Sequence, residues 1–184
     1  AEAAISGDAK PEEYRAALEQ TIAESDQLIK TFNAILMISR LEAGYSAEQT
    51  ATVDLTTAVR DVVELYEPAA EEVGVELRAS VEDGLSIDGN RELISQALSN
   101  VIDNAIKYAS CDGRKAQVEV ELRRADDGIS LAVTDNGPGI PDAADRERVT
   151  ERFVRLEKSR SQPGSGLGLS LAGAVMKFHG GRLE

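Results

Sequence analysis

The segment from Asn90 to Ala109 reads NRELISQALSNVIDNAIKYA and decides the fold of this chain. Its apolar residues recur three and four positions apart, which places them along one side of a helix. These residues are Leu98, Val101, Ile102 and Ala105. The pattern therefore predicts an amphipathic helix whose apolar side packs into a core.

The same helix carries a set of polar residues that share one face. They are Asn100, Asn104, Lys107 and Tyr108, at spacings that bring their side chains together. An amide oxygen can ligate Mg²⁺, which prefers hard oxygen ligands shared with phosphates. A lysine one turn away can pair with a phosphate, and a tyrosine can hydrogen-bond or stack. Taken alone, the pattern fits an ordinary solvated face better than a binding site.

A glycine-rich turn, DNGPGI, follows a predicted strand at residues 135–140. The Asp135 carboxylate at the strand end can accept a hydrogen bond from the exocyclic amine of adenine. Gly137 and Gly139 allow backbone conformations and close approaches that are closed to other residues. Asp-Asn-Gly is also common turn chemistry, so a plain turn stays open as an alternative at this point.

A second glycine-rich stretch, GSGLGLS at residues 164–170, opens the last predicted helix. Glycines expose backbone N–H groups, and a helix N-terminus favours anions. The stretch is neither a Walker loop nor a dinucleotide-binding fingerprint, because it lacks Gly-Lys-Ser/Thr and follows no strand directly. Residues 136–164 lack clear periodicity, and a stretch of that length in a compact domain predicts a functional lid.

The remaining segments complete an alternation of helices and strands. Residues 45–52 are polar and are predicted to be a linker, and Pro68 is a possible kink in the helix that contains it. Arg182 to Glu184 resembles the start of a strand. The other predicted elements are a helix over 54–72, strands at 75–79 and 85–87, a hairpin of strands 118–122 and 129–133 around a turn at 126–128, and a helix over 166–178.

A long helix is predicted over residues 11–43, with Pro11 in its first turn and Gly44 as its stop. Residues of one side recur at alternating spacings of four and three, which predicts a seam that packs against a partner helix. The seam consists of Leu18, Ile22, Ser25, Ile29, Phe32 and Leu36.

The order and spacing of these motifs resemble the histidine-kinase branch of the ATPases that share the Bergerat nucleotide-binding fold. Residues 100–108 match its N box, 135–140 its first glycine box, 151–155 (ERFVR) its F box and 164–169 its second glycine box. The resemblance implies an α/β two-layer sandwich, with a mixed sheet of about five strands and three helices on one face, preceded by a long helix. It also divides the chain into a catalytic ATP-binding domain at 53–184 and, at 1–48, the second helix of a dimerisation and histidine-phosphotransfer hairpin.

The resemblance implies ATP and Mg²⁺ as cofactors and assigns a role to each matching position. Asn104 is the expected Mg²⁺ ligand, Asp135 is expected to bind the adenine amine, and Phe153 to fasten the lid. Arg160 is the candidate lid contact to phosphate, with Arg155 and Lys158 as competitors. The full set of expected nucleotide-binding residues is Asn100, Asn104, Lys107, Tyr108, Asp135, Gly137, Gly139, Ile140, Phe153, Arg160, Gly164, Ser165, Gly166, Leu167 and Gly168.

Kinases of this family phosphorylate a histidine on the first helix of the hairpin, and the motif that carries it has no match here. The only histidine, His179, ends the last helix and is predicted to be structural. We therefore expect a portion of a larger kinase that contains no catalytic residue of its own and does not phosphorylate itself. The intact enzyme is expected to be a homodimer that passes phosphate to the receiver domain of a response regulator.

Composition narrows the classes of function. The formal net charge is −13, and such an acidic chain repels nucleic acid. The single cysteine, Cys111, forms no internal disulfide, which favours a cytoplasmic setting for this portion. No apolar run approaches the length of a membrane span, although a parent protein with a membrane anchor stays possible.

Two alternatives remain open from the sequence. The first is another ATPase or serine kinase of the same fold. Its hydrolytic members need an acidic residue on the N-box helix, for which Glu92 and Asp103 are the nearest candidates because residue 96 is glutamine. The second is a nucleotide-binding interaction module without activity.

Overall fold

The computed structural model describes residues 10–44, 50–109, 115–156 and 164–184, in which the chain forms five helices and five strands. The helices are α1 (Pro11–Glu42), α2 (Leu55–Glu72), α3 (Arg91–Tyr108), α4 (Ala143–Arg148) and α5 (Gly168–Phe178). The strands are β1 (Ala51–Asp54), β2 (Val75–Val81), β3 (Ser86–Gly89), β4 (Ala116–Ala125) and β5 (Gly128–Asp135).

Side-chain caps fix where three of the helices begin. The Asp54 carboxylate accepts a hydrogen bond from the Thr57 N–H at 3.0 Å and starts α2. Asn90 caps α3 by accepting from the Leu93 N–H at 3.0 Å, and Asp142 caps α4. Each cap satisfies a backbone donor that the first turn of a helix leaves unpaired. Helix α2 continues through Pro68 to Glu72.

The five strands form two sheets. In the larger one β4 lies in the centre, parallel to β2 and antiparallel to β5. The smaller sheet pairs β1 with β3 in antiparallel fashion, with Val53 opposite Ile87. The predicted fold class, a mixed α/β sandwich after a long helix, is confirmed, and its five strands are divided between these two sheets.

Two sequence-based expectations were wrong at short segments. β1 begins at Ala51, inside the predicted linker; residues 45–49 of that linker lie outside the described part. A strand of four residues with only Val53 buried is too short to show alternation. Residues 182–184 form no strand: Arg182 instead pairs with Glu184 and lies 3.7 Å from Asp127.

The main core lies between the larger sheet and helices α2 and α3. Val59 of α2, Ile102 of α3 and Val120 of β4 are completely buried there. The apolar side of α3 predicted from its periodicity is thus the side that packs inward, and its polar side is left for another neighbour.

Helix α5 packs against α3 and against the last turns of α1. Ile38 and Leu41 of α1 are buried in this second cluster together with Leu171 and Val175 of α5. Further towards its N-terminus α1 exposes large apolar side chains, with Leu18 64% and Phe32 60% exposed. The predicted seam is therefore an uncovered face within this chain.

Candidate functional site

The polar face of α3 is covered by the glycine-rich stretch that leads into α5. A Cβ atom built on Gly168 would lie 3.5 Å from Nδ2 of Asn104 and 3.6 Å from Cβ of Asn100. A Cβ on Gly164 would lie 3.2 Å from Nζ of Lys107. Glycine at these positions therefore lets the stretch pass close to the polar side chains of α3, and the space between the stretch and this face is called the cleft.

The Asn100 side chain has the clearest feature of a binding residue. Its Nδ2 is buried, and among the described residues it has no hydrogen-bond partner. A buried donor without an acceptor costs about 1–3 kcal/mol, and such groups mark strain or function. An oxygen-rich anion in the cleft would supply the acceptor.

The N-terminus of α5 opens at the same cleft. Leu167 occupies the N-cap position and no described side chain caps the helix, in contrast to α2, α3 and α4. The first N–H groups of a helix attract anions, because they are unpaired and lie at the positive end of the helix dipole. An uncapped helix end, a lysine and an unpaired amide donor together form a cleft that suits phosphate.

The Asp135 turn lies against the C-terminus of α3. Oδ1 of Asp135 accepts a hydrogen bond from the Gly137 N–H at 2.8 Å. A Cβ on Gly137 would stand 2.2 Å from the carbonyl oxygen of Tyr108, so only glycine lets the turn cross the helix end this closely. Gly139 adopts a left-handed φ of 64°, which also favours glycine. The turn thus places an exposed carboxylate beside Tyr108.

The F-box segment contacts the glycine-rich stretch through its backbone. The Phe153 N–H donates to the carbonyl of Gly166 at 3.0 Å. Phe153 itself has a φ of 62°, which is strained for an aromatic residue, and its side chain is 59% exposed. The contact between the F-box segment and the glycine-rich stretch is thus made by the backbone of Phe153, whereas its aromatic ring is largely exposed. The role of Phe153 in fastening the lid stays a prediction.

This arrangement of an asparagine helix, an aspartate turn and a glycine-rich helix start matches a known family. The model of the histidine kinase-, DNA gyrase B- and HSP90-like ATPases matches residues 89–184, more than half of the chain. The chain belongs to this family. Its similarity within the family is to sensor histidine kinases, as the sequence predicted.

Several sensor kinases resemble the chain over most of its length. Sensor protein IrlS of Burkholderia pseudomallei is 33% identical over 98% of this chain and 38% of its own length. Sensor-like histidine kinase SenX3 of Mycobacterium tuberculosis is 33% identical over the whole chain and 44% of its own length. The chain thus spans less than half of these relatives.

Solved structures of similar proteins share the fold. The full-length structure of ShkA in complex with AMPPNP superposes with a TM-score of 0.74 at 29% identity, covering 91% of this chain and 34% of that one. The mycobacterial sensor histidine kinase MprB is 34% identical with a TM-score of 0.60, covering 71% of this chain and 82% of that one.

The structure brings most of the predicted family positions into one region. Asn100, Asn104 and Lys107 face the 164–168 stretch, while Tyr108 adjoins the Asp135 turn. The Leu167 side chain is only 1% exposed and packs in the core around α5, so only its backbone can face a nucleotide. Ile140 and Ser165 are half-buried. Arg160 and Lys158 lie outside the described residues, and Arg155 approaches Gly166.

Two residues that sequence reasoning passed over hold the site's loops in place. The side chain of Asn136 hydrogen-bonds to the start of β4. Arg152 of the F box forms an ion pair with Glu42 at the end of α1, and this arginine is the main reason that the pKa of Glu42 lies below its ordinary value. Both contacts join positions far apart in the chain, for which a single sequence contains no signal.

His179 is structural, as predicted. Its Nε2 accepts a hydrogen bond from the Asn90 N–H at 3.0 Å, and its Nδ1 lies 2.8 Å from the carbonyl oxygen of Val175, to which it donates. Both ring nitrogens are therefore engaged, and the ring joins the end of α5 to the start of α3.

The acidic candidates for a hydrolytic ATPase lie away from this cleft. Asp103 is exposed on the side of α3 that faces α2. Tyr66 of α2 has a raised pKa, mainly because this tyrosine is partly buried and secondly because of the negative charge of Asp103. Glu92 lies in the first turn of α3, two turns before Asn100.

Among the described residues, no helix has both the length and the apolar character needed to cross a lipid bilayer.

Proposed function

We propose that this chain binds Mg²⁺-ATP and acts as the catalytic part of a sensor histidine kinase, which transfers the γ-phosphoryl group to a histidine outside this sequence. The observation that carries the proposal is the buried, unpaired Nδ2 of Asn100, in a cleft shared with Lys107 and the uncapped start of α5. A triphosphate would give Nδ2 of Asn100 an acceptor oxygen and would bring negative charge to Lys107 and to the positive end of the helix dipole.

Each part of the cleft has a distinct task in this proposal. Lys107 and the backbone N–H groups of the 164–168 stretch hold the phosphates, and Asn100 donates to a phosphate oxygen. Asp135 accepts from the adenine amine, beside Gly137, Gly139 and Tyr108. Phosphoryl transfer depends mainly on such positioning and charge neutralisation, so the chain needs no nucleophile of its own.

Mg²⁺ fits this cleft as a companion of the phosphates. No cluster of three or more His, Cys, Asp or Glu side chains able to hold a metal occurs in the described ranges. The Asn104 amide oxygen is the protein ligand that we assign, because Mg²⁺ is commonly held by one or two protein oxygens together with phosphates and water. The bound ion neutralises charge on the phosphates.

We further assign residues 53–184 to the catalytic domain and residues 1–48 to one helix of a dimerisation hairpin. The uncovered apolar face of α1 supports a homodimer in the intact kinase, and the relatives support a response-regulator receiver domain as the phosphate acceptor. A cytoplasmic location of this portion is consistent with these partners.

Calorimetric titration with Mg²⁺-bound AMPPNP tests the nucleotide site. We expect one site that requires Mg²⁺, and an affinity lower by at least about tenfold in Asp135→Asn, because an amide in place of the carboxylate can set its NH₂ against the adenine amine and leave it unpaired. Asp126→Asn makes the same change at the exposed β4–β5 turn and should bind like the unmutated chain. Binding that is independent of Mg²⁺ or equal in both variants would contradict the proposal.

Phosphotransfer in trans separates the kinase from its alternatives. A two-helix hairpin that carries a phosphoaccepting histidine, incubated with this chain and labelled ATP, should acquire label that is lost when that histidine is replaced by glutamine. An ATPase of the same fold would release free phosphate instead, and an inactive module would bind nucleotide without either product.

The exposed seam of α1 predicts self-association of the isolated chain. We expect light scattering to show a mass that rises with concentration, because Leu18, Ile22 and Phe32 leave an apolar stripe in water. Ile22→Glu combined with Phe32→Glu should abolish the effect, whereas Glu24→Gln should not. A monomer at all concentrations would refute this prediction.

A further inference from the structure

The β4–β5 ladder is completed by a side chain at the point where the chain turns towards the site. Its last backbone register pair joins Val118 to Asp135. One step further, the Asn136 N–H donates to the carbonyl of Gln117 at 3.2 Å. The Gln117 N–H donates back at 2.9 Å, to the side-chain Oδ1 of Asn136. The amide side chain thus occupies the place of a backbone carbonyl and frees the main chain to turn away.

A third hydrogen bond fixes the orientation of this amide. Its Nδ2 donates to the carbonyl of Lys115 at 2.9 Å, so the oxygen and the nitrogen of the side chain each have a backbone partner at the start of β4. A group held at both ends has one favoured rotamer, and Asn136 is half-buried. Asn136, directly after Asp135, is therefore held in one position by its backbone and its side chain.

The strand start to which Asn136 binds is itself tied to β2. Nε2 of Gln117 donates to the Glu76 carboxylate at 3.0 Å, Nζ of Lys115 lies 3.2 Å from it, and Arg78 contacts it at 2.8 Å. These contacts, first that of Arg78, lower the pKa of Glu76 to about 2. Glu76 therefore stays ionised near neutral pH, and its contacts continue to hold the start of β4, to which Asn136 binds.

A second contact fixes the turn one residue after Asn136. Gly137 donates a hydrogen bond to the Asp135 carboxylate at 2.8 Å and passes close to the Tyr108 carbonyl. The Asp135 carboxylate is exposed, and its hydrogen bond from Gly137 comes from the same turn, so the carboxylate moves with the main chain of that turn. Its direction is consequently set by the two residues that follow it, Asn136 and Gly137.

We propose that Asn136 is a positioning residue that aims the Asp135 carboxylate and thereby sets the preference of the site for adenine over guanine. The inference rests on the proposed nucleotide-binding function. A carboxylate aimed at position 6 of the purine accepts from the amine of adenine and repels the carbonyl oxygen of guanine. A misaimed carboxylate loses both effects.

The test is a titration of the unmutated chain, Asn136→Ala and Asn136→Asp with the Mg²⁺-bound imido analogues of ATP and GTP. In Asn136→Ala we expect the affinity for the adenine analogue to fall about tenfold, with the guanine analogue changed less than twofold. Asn136→Asp keeps the acceptor for Gln117 and loses the donor to Lys115, so its preference should fall to an intermediate value. It also covers the case in which the alanine variant does not fold.

A double-mutant cycle shows whether Asn136 acts through Asp135. Asp135→Asn removes the selectivity by itself, and adding Asn136→Ala should then cost no further affinity for the adenine analogue, because coupled positions are not additive. Asp54→Ala, which removes the cap of α2 far from the site, is the matched control for destabilisation. It should lower the melting temperature and leave the adenine preference intact.

The outcomes distinguish the two proposals. If the unmutated chain binds neither analogue, the proposed function and this inference both fail. If it binds the adenine analogue, and both Asn136 variants keep its preference while only the melting temperature falls, the function stands and Asn136 is merely structural. Additive losses in the double mutant would likewise overturn the positioning role.

Discussion

Replacing Gly137 by alanine is expected to lower the affinity for Mg²⁺-bound AMPPNP about a hundredfold. The added Cβ would stand 2.2 Å from the Tyr108 carbonyl oxygen and 2.7 Å from Oδ1 of Asp135. The exposed carboxylate can rotate away, but the Tyr108 carbonyl belongs to the helix backbone, so the turn has to move. A hundredfold loss of affinity corresponds to about 2.8 kcal/mol, which is the size of a lost hydrogen bond to a charged group. Calorimetric titration measures the loss directly.

A second glycine separates this steric effect from general destabilisation. Gly84 has a φ of 71°, and a Cβ there would meet nothing within 4 Å. Gly84→Ala therefore introduces backbone strain, costing about 1 kcal/mol, without a clash and far from the cleft. It should lower the melting temperature while binding stays unchanged. If Gly137→Ala bound as tightly as Gly84→Ala, the close contact with α3 would have no functional meaning.

Replacing Asn100 by leucine is expected to change stability and binding in opposite directions. Because Nδ2 of Asn100 is buried without a described partner, an apolar side chain of similar size removes a desolvation cost of about 1–3 kcal/mol. For a chain of this length each kcal/mol corresponds to about 2–4 °C of melting temperature. We therefore expect a higher melting temperature for the ligand-free chain, together with loss of Mg²⁺-AMPPNP binding, as measured by calorimetry and thermal unfolding.

Asn136→Leu is the matched control for this substitution. It removes an asparagine whose oxygen and nitrogen are both hydrogen-bonded, and it leaves backbone groups of Lys115 and Gln117 without these partners. Its melting temperature should fall. If the melting temperature also fell in Asn100→Leu, the Asn100 amide would stabilise the ligand-free fold, which would contradict this prediction.

Much of the fold follows from patterns between sequence neighbours. The periodicity of residues 90–109 predicted α3 to within a residue at each end, and Asp54 predicted the start of α2. The hairpin of β4 and β5 followed from alternation around the turn at 126–128. These features are local, because a helix face, a cap and a tight turn depend on residues a few positions apart.

The short elements escaped prediction because their stability comes from elsewhere. β1 has a single buried residue and exists through its pairing with β3. Helix α4 has six residues and none is buried, so the predicted lid contains no apolar periodicity that would indicate this helix. In both cases the sequence of the segment alone contains too little apolar pattern to distinguish it from a loop.

By itself, the sequence determined the family, the order of the elements and the residue types that a nucleotide site requires, since motif spacing is a property of the chain. Only the tertiary structure decided how those residues are held. It left the Nδ2 of Asn100 without a described partner, set Gly137 against Tyr108, bound Asn136 to β4 and joined Arg152 to Glu42. The physical reason is that each of these depends on groups brought together by packing across long stretches of chain, where burial and distance set the energy and no local pattern records the pairing.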